Sequence, residues 1–213
     1  MLFERILDLP RRVVRRVRND RRDYRHFLFA ELQQRLGCST PNSILEIGPR
    51  DGEDTHRLLS LRPKSLVLAE LPNQRVSLEQ RLTTRKIIDK VDIRYGNVMY
   101  DPIISEDEAF DVIWCTGVLY HNPEQLRFIV RLSDWLKPDG MLVIETATAR
   151  RFPSRFLNCV EVWEGAGKSI HKRHHVSQNV IHLPSKLALL SWLRIAGFNE
   201  TTSQSNSPSP VND

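Results

Sequence analysis

The stretch Ser43–Glu53, SILEIGPRDGE, read together with the carboxylate of Glu70, constrains the fold more than any other part of the 213 residues. Ile44, Leu45 and Ile47 form a short apolar run, Gly48-Pro49-Arg50-Asp51-Gly52 breaks it, and a segment of helical character, Glu53 to Leu61, follows. Strand, tight glycine turn and helix open a nucleotide-binding α/β fold. Gly48 supplies a left-handed backbone and a bare surface for a ligand, and Gly52 lets the helix start close to the strand. A second apolar run, Leu66 to Ala69, ends in Glu70. From the tip of a second strand a carboxylate can grip a ribose diol through two hydrogen bonds.

The chain is long enough for one well-buried core, and 40% hydrophobic with 27% charged residues is a globular balance. No apolar run approaches a membrane span, and Glu4, Arg5 and Asp8 interrupt the one N-terminal run that could serve as a secretory core. Three widely spaced cysteines without a CxxC pair argue against a disulfide framework and for a reducing cytoplasm. Residues 1–25 hold nine arginines against Glu4, Asp8, Asp20 and Asp23, which accounts for the whole net charge of +5. Those arginines suit phosphates of RNA, an anionic membrane surface, or the solvated outer face of a cap helix.

The spacing of Leu2, Phe3, Ile6, Leu7, Val13, Val14, Val17, Phe27, Leu28 and Leu32 predicts a basic, mostly helical segment over residues 1–42. After Glu70, Asn73–Arg85 predicts a helix and Val91–Tyr95 a third strand, ended by Gly96-Asn97. Phe110 to Cys115 reads as a buried strand. Gly117-Val118-Leu119-Tyr120-His121 is the loop at its carboxyl end, where open α/β sheets bind ligands. A helix over Gln125–Leu136 stops at Lys137-Pro138-Asp139-Gly140, and Met141–Thr146 is a fifth strand. Residues 150–183 predict a lid or insert. In it His171, His174 and His175 would share a helical face, a metal-ligand spacing, but no carboxylate or cysteine joins them and no metal is assigned. A basic lid over an anionic substrate and a solvated loop are the other readings. A helix from Lys186 to Ala196 closes at Gly197-Phe198, and the polar residues 199–213 are expected to stay disordered.

Glu46-x-Gly48-x-x-x-Gly52 resembles the first motif of class I S-adenosylmethionine-dependent methyltransferases, with Arg50 in place of the middle glycine. The run from Phe110 to Thr146, FDVIWCTGVLYHNPEQLRFIVRLSDWLKPDGMLVIET, is similar to their fourth motif, helix and fifth strand. GVLYH, LVIET and the pattern Asn179, Val180, Pro184, Ser185, Ala188, Leu189, Trp192, Leu193, Gly197, Phe198 resemble, more narrowly, the tRNA wobble-uridine (mo5U34 / 5-oxyacetic acid) methyltransferase family. The resemblance covers residues 43–198. It implies a Rossmann-like, doubly wound α/β domain with a mainly parallel sheet. It also implies an enzyme that moves a methyl group from S-adenosylmethionine to an oxygen or nitrogen of an acceptor: tRNA wobble uridine, or a small-molecule, glycan or lipid precursor. Glu46, Gly48, Arg50 and Gly52 would hold the methionine end, Glu70 the ribose, and Asn97 and Val98 the adenine. Cys115, Gly117 and their neighbours would lie beneath the methyl. Tyr120 would orient the acceptor or pack on the cofactor. His121 would act as base where the acceptor must lose a proton, since histidine ionises near neutral pH. Turn capping by Asn97 and a backbone-bonded His121 stand as equal alternatives.

Two departures qualify the resemblance. The antiparallel hairpin that normally finishes such a sheet is missing from the pattern after Phe198. That predicts a shortened sheet with an exposed edge at strand five, open to the insert or to a second copy in a homodimer. The basic residues that hold the extra carboxylate of carboxy-S-adenosylmethionine in the wobble-uridine enzymes are also absent, which favours ordinary S-adenosylmethionine. The alternative is a non-catalytic, methyltransferase-like binding or assembly module. A nicotinamide-dependent oxidoreductase fits poorly, since the third fingerprint glycine is absent. The expected location is the cytoplasm, with the basic end leaving a peripheral membrane position open.

Overall fold

Parallel strands buried on both faces need crossover helices, and the chain supplies them in order. The computed structural model describes residues 2–7, 23–149, 151–164, 180–199 and 201–205. Its elements are β1 (Leu2–Leu7), α1 (Asp23–Leu36), β2 (Ser43–Ile47), α2 (Glu53–Leu59), β3 (Ser65–Glu70), α3 (Arg75–Thr84), β4 (Asp92–Tyr95), β5 (Phe110–Thr116), α4 (Gln125–Asp134), β6 (Leu136–Ala147), β7 (Val160–Glu164), β8 (Val180–Pro184), α5 (Lys186–Ile195) and β9 (Thr201–Ser205). Among the described residues the main sheet has seven strands in the order β4-β3-β2-β5-β6-β1-β9, all parallel. The chain runs outward from β2 to β4, then returns to β5 on the other side of β2. The β2/β5 junction is therefore the topological switch point, where such sheets take ligands.

Two apolar layers fill the space between sheet and helices. Leu28, Phe29 and Leu32 of α1, Leu58 of α2 and Leu78 and Leu82 of α3 pack with Ile44, Leu66, Leu68, Val112, Trp114 and Val143 on one face. On the other, Phe128, Ile129 and Leu132 of α4 and Leu189 and Leu193 of α5 pack with Leu45, Ile47, Val67, Ile113, Cys115, Leu142 and Ile144. The doubly wound architecture follows from this alternation of β-strand parity, and matches the expectation from sequence.

Three expectations are corrected at the sheet's far edge. Leu2–Leu7 was expected to be helical; it is a strand, with Leu2 opposite Leu142 and Leu7 opposite Ala147. A run this short fits either period, and ladder bonds to β6 decide it. Residues 199–213 were expected to be disordered, yet Thr201–Ser205 forms β9 against β1, a pairing made by backbone groups that needs little apolar surface. The edge of β6 is accordingly covered by β1, which removes the ground for expecting a homodimer there. The antiparallel pair thought missing exists as a separate two-stranded sheet of β7 and β8. The expected histidine cluster and the arginines at positions 11–22 lie outside the described residues.

β6 also begins earlier than expected. Lys137 to Gly140 does not end a helix but forms a bulge between the Phe110–Leu136 and Val112–Met141 pairs. A Cβ on Gly140 would stand 2.9 Å from the Lys137 carbonyl oxygen and 3.1 Å from that of Phe110, so only glycine fits.

Candidate active site

Strand parity carries four polar side chains to one corner. Ile44, Leu68, Trp114 and Val143 face the layer beneath α1 to α3. Two residues further along, Glu46, Glu70, Thr116 and Glu145 reach the same side at the carboxyl ends of β2, β3, β5 and β6. All four are buried. Three carboxylates sealed at the switch point are expensive for folding alone, and such clusters mark functional sites.

The glycine turn between β2 and α2 has φ of 72° at Gly48, 51° at Arg50 and 68° at Gly52. The left-handed conformation is thus kept at Arg50 even though the middle glycine is absent, at a cost of roughly 1–2 kcal/mol for an L-residue. A Cβ on Gly48 would lie 2.7 Å from a methyl of Val118, and one on Gly52 2.7 Å from a methyl of Leu82. Gly48 therefore brings the β2 and β5 loops into contact across the switch point, and Gly52 seats α2 on α3. The turn's backbone also reaches Glu70: Arg50 N–H donates to its Oε2 at 3.2 Å and Leu71 N–H to its Oε1 at 2.8 Å. Burial pushes the Glu70 carboxyl up in pKa, and these two N–H groups oppose the shift.

Glu46 accepts a hydrogen bond from the Thr55 hydroxyl of α2 at 2.6 Å. Burial first, and then the neighbouring charge of Asp54, hold its pKa well above the usual carboxylate range. Its contribution to stability is present below the unfolded pKa of about 4.3 and is lost as pH rises through the folded-state value. Near neutral pH an ionised Glu46 therefore works against folding. Glu46→Gln, which keeps an acceptor for Thr55, is expected to raise Tm at pH 8 by about 3 °C for each kcal/mol recovered. The gap should close on acidification below about pH 4, where the unfolded carboxyl of wild-type Glu46 is protonated as well. Thermal melts of both proteins across pH check this; a Gln variant less stable at every pH would overturn it.

Asp54, in the first turn of α2, was not singled out from the sequence, yet it ties the corner together. Its Oδ2 accepts from Arg25 Nη1 at 2.8 Å, Trp114 Nε1 at 3.2 Å and the Thr116 hydroxyl at 3.3 Å, and its Oδ1 from Arg57 Nη1 at 2.8 Å. Arg25 of α1 is thereby drawn over the end of β5. Nothing local in the sequence signals this, because the partners lie 29, 60 and 62 residues away. Glu145 was also missed, although its place at a strand tip obeys the same rule that found Glu70.

The loop after β5 starts at Gly117, whose φ is 72° and whose N–H donates to the Glu145 carbonyl at 3.1 Å. Leu119–His121 is a single 3-10 turn. Tyr120 and His121 are half-buried, with ring centroids 4.2 Å apart, and the His121 N–H donates to the Val118 carbonyl. At the end of β4, Asn97 Oδ1 accepts from Met99 N–H at 2.9 Å, so the turn-capping alternative describes its geometry, and Val98 is buried in the core cluster. Cys115 does not fit the expected role: its side chain points to the opposite layer from Trp114 and Thr116, fully buried, and burial raises its pKa. Glu46 and Glu70 lie at the carboxyl ends of β2 and β3, and Gly48, Arg50, Gly52, Gly117, Tyr120 and His121 on the turns that follow β2 and β5.

A sheet with this order, with a left-handed glycine turn at the switch point and a carboxylate held at the next strand tip, is a Rossmann-like, doubly wound α/β domain. The sequence matches the family model described as "Methyltransferase domain" over residues 18–203, and the chain belongs to that family. It is 27% identical to a tRNA U34 carboxymethyltransferase of Nautilia profundicola over 157 residues, which is 74% of this chain and 47% of that protein. It is 34% identical to one of Chromohalobacter salexigens over 107 residues, 49% of this chain and 28% of that one. The chain thus spans less than half the length of these curated relatives. Among solved structures, the N-terminal domain of EvdMO1 with S-adenosylhomocysteine bound matches with a TM-score of 0.57 at 19% identity, covering 84% of this chain and 73% of that one. The glycopeptide N-methyltransferase MtfA complexed with sinefungin matches with a TM-score of 0.58 at 16% identity, covering 79% and 80%.

Proposed function

We propose that the protein is an S-adenosylmethionine-dependent methyltransferase that delivers the methyl group to an oxygen or nitrogen of its acceptor. The observation that carries this reading is Glu70. It is a buried carboxylate at the tip of β3 with both oxygens held by backbone N–H groups, one of them from the glycine turn. Such a carboxylate is fixed in place to accept from a pair of vicinal hydroxyls. The residues present fit the cofactor: a turn with bare backbone at the switch point and a buried carboxylate at the next strand tip for the ribose.

Bound S-adenosylmethionine supplies an activated methyl group on a sulfonium, which leaves as a neutral thioether. The protein's task is then alignment rather than charge stabilisation. Gly48 to Gly52 and the Gly117 loop form the walls that orient the reactants, and Tyr120 positions the acceptor. His121 takes a proton from the acceptor where one must be lost. The arrangement does not support the non-catalytic alternative: Arg50 keeps the glycine conformation, and the sheet is extended by β1 and β9.

For the acceptor we place tRNA first. The curated relatives are named for tRNA U34, and the arginines within residues 1–25 are suited to phosphates. A small-molecule acceptor is the second reading, favoured by the structural likeness to a glycopeptide N-methyltransferase. The cytoplasm is the expected place of work. Among the described residues no helix is long and apolar enough to cross a membrane. Titration calorimetry with S-adenosylhomocysteine, with NAD as control, tests the cofactor. Micromolar binding of the first alone is expected, and no binding by the folded protein would sink the proposal.

A further inference from the structure

The large apolar side chains left in water are gathered in one place. Ten are exposed among the described residues, and seven of these, all but Phe27, Val76 and Tyr100, belong to the turn after β6, to β7 or to α5. Exposed apolar side chains scattered singly need no explanation, whereas a group of them marks a surface that meets a partner. On the turn, Phe152 is 80% exposed, and its ring centroid lies 6.2 Å from that of Phe156. Leu157 follows. Val160 and Val162 continue the band along one face of β7, since alternate residues of a strand share a face. On α5, Leu187 and Ile195 stand on the outward side, away from the buried Leu189 and Leu193. The two parts are joined. Ser185 N–H, at the start of α5, donates to the Cys159 carbonyl at 2.8 Å, and Asn158 Nδ2 stands 3.5 Å from Ser191 Oγ, between Leu187 and Ile195 on the same side.

The charge along this band has one sign. Residues 150–163 carry Arg150, Arg151 and Arg155 against Glu161, and residues 185–196 carry Lys186 and Arg194 with no acid. Arg151 is exposed, its guanidinium 4.2 Å from the centroid of the Trp163 ring. Glu161 belongs to the other face of β7 from Val160 and Val162, and its Oε2 accepts from Trp163 Nε1 at 3.0 Å. Chemistry separates the occupants such a band can take. A second copy of the chain would bring the same cations face to face across a two-fold axis. Unpaired bases of RNA are held by stacking on rings, but five of the seven side chains are aliphatic and offer no face to stack on. An anionic bilayer uses both features. Apolar side chains enter the boundary between headgroups and acyl chains, and arginine and lysine meet the phosphates above it.

We propose that this band is a docking surface for an anionic lipid bilayer, with Phe152 and Phe156 as its deepest contacts. The turn leaves the main sheet at the carboxyl end of β6, the edge on which Glu46, Glu70 and Glu145 lie, so docking holds the candidate site close to the lipid surface. The proposal does not depend on the methyl-transfer reading. Co-sedimentation tests it, with vesicles of equal parts phosphatidylglycerol and phosphatidylcholine and with vesicles of phosphatidylcholine alone. Partition onto the anionic vesicles is expected to be at least fivefold stronger, and to weaken as salt is raised. Two double variants, Phe152→Ser with Phe156→Ser and Leu187→Ser with Ile195→Ser, should each lose at least fivefold in partition and keep the wild-type melt, since all four side chains are exposed. Wild type left in the supernatant at low salt would overturn the proposal. So would vesicle binding that both variants leave unchanged, which would transfer it to other basic residues of the chain. Fluorescence anisotropy of a labelled oligouridylate is read in parallel. Oligonucleotide binding that falls with the two phenylalanines, in a protein that leaves vesicles alone, would make the band a base-stacking surface and overturn the lipid assignment. If one variant loses the wild-type melt, the other decides.

Discussion

Asp54→Ala is expected to be the most destabilising single substitution at the site. It removes the acceptor of two half-buried guanidinium groups, a buried indole N–H and a buried threonine hydroxyl at once. Breaking a buried ion pair from one side costs about 3–5 kcal/mol, since the partner charges remain without compensation. For a domain of this size each kcal/mol lowers Tm by about 2–4 °C, so a fall on the order of 10 °C follows. Asp54→Asn, which keeps one acceptor oxygen but not the charge, should fall between the two. Differential scanning calorimetry of the three proteins measures it, and a change under about 1 kcal/mol for alanine would show that the network is not what fixes α1 to the sheet.

Glu70→Ala has the largest expected effect on binding. If both carboxylate oxygens accept ribose hydroxyls, two charge-assisted hydrogen bonds are lost. At about 1.5 kcal/mol or more each, affinity for S-adenosylhomocysteine should fall roughly a hundredfold or more. The fold should survive. Burial already disfavours the ionised carboxylate, so its removal relieves a cost while exposing only the N–H groups of Arg50 and Leu71 to water in the vacated space. Kd by calorimetry and secondary structure by circular dichroism separate the two effects. An unchanged Kd would remove Glu70 from the cofactor site.

The inner sheet was legible in the sequence because its signals are local. The apolar runs at Ile44–Ile47, Leu66–Ala69 and Phe110–Cys115, ended by Gly48, Glu70 and Thr116-Gly117, specify strand, turn and tip without help from elsewhere. Glu70 and the glycine turn could be found the same way. What the sequence concealed depends on distant partners. Leu2–Leu7 reads equally well as helix, and becomes a strand only through β6. Asp54 looks like an ordinary acid in a first helical turn until Arg25 and Trp114 meet it. The bulge at Lys137–Gly140 resembles a helix stop because proline and glycine serve both purposes. Cys115 lay within the right loop motif but on the wrong strand face, a distinction that parity counted from Ile113 would have revealed.

The placement of β1 also sets an order of assembly. Among β2 to β6 the neighbours in sequence pair across one crossover each, except that β5 returns past β3 and β4 to lie beside β2, with Ile44 opposite Val112. β1 must wait: Leu2 lies opposite Leu142 on one side and Thr201 on the other. Contacts of such sequence separation are entropically the slowest to form. The inner sheet is therefore complete, with β6 still presenting unpaired backbone groups, before the chain's opening strand returns to cover it. During that interval the β6 edge is the nascent protein's most adhesive surface, and β1 acts as a built-in shield for it.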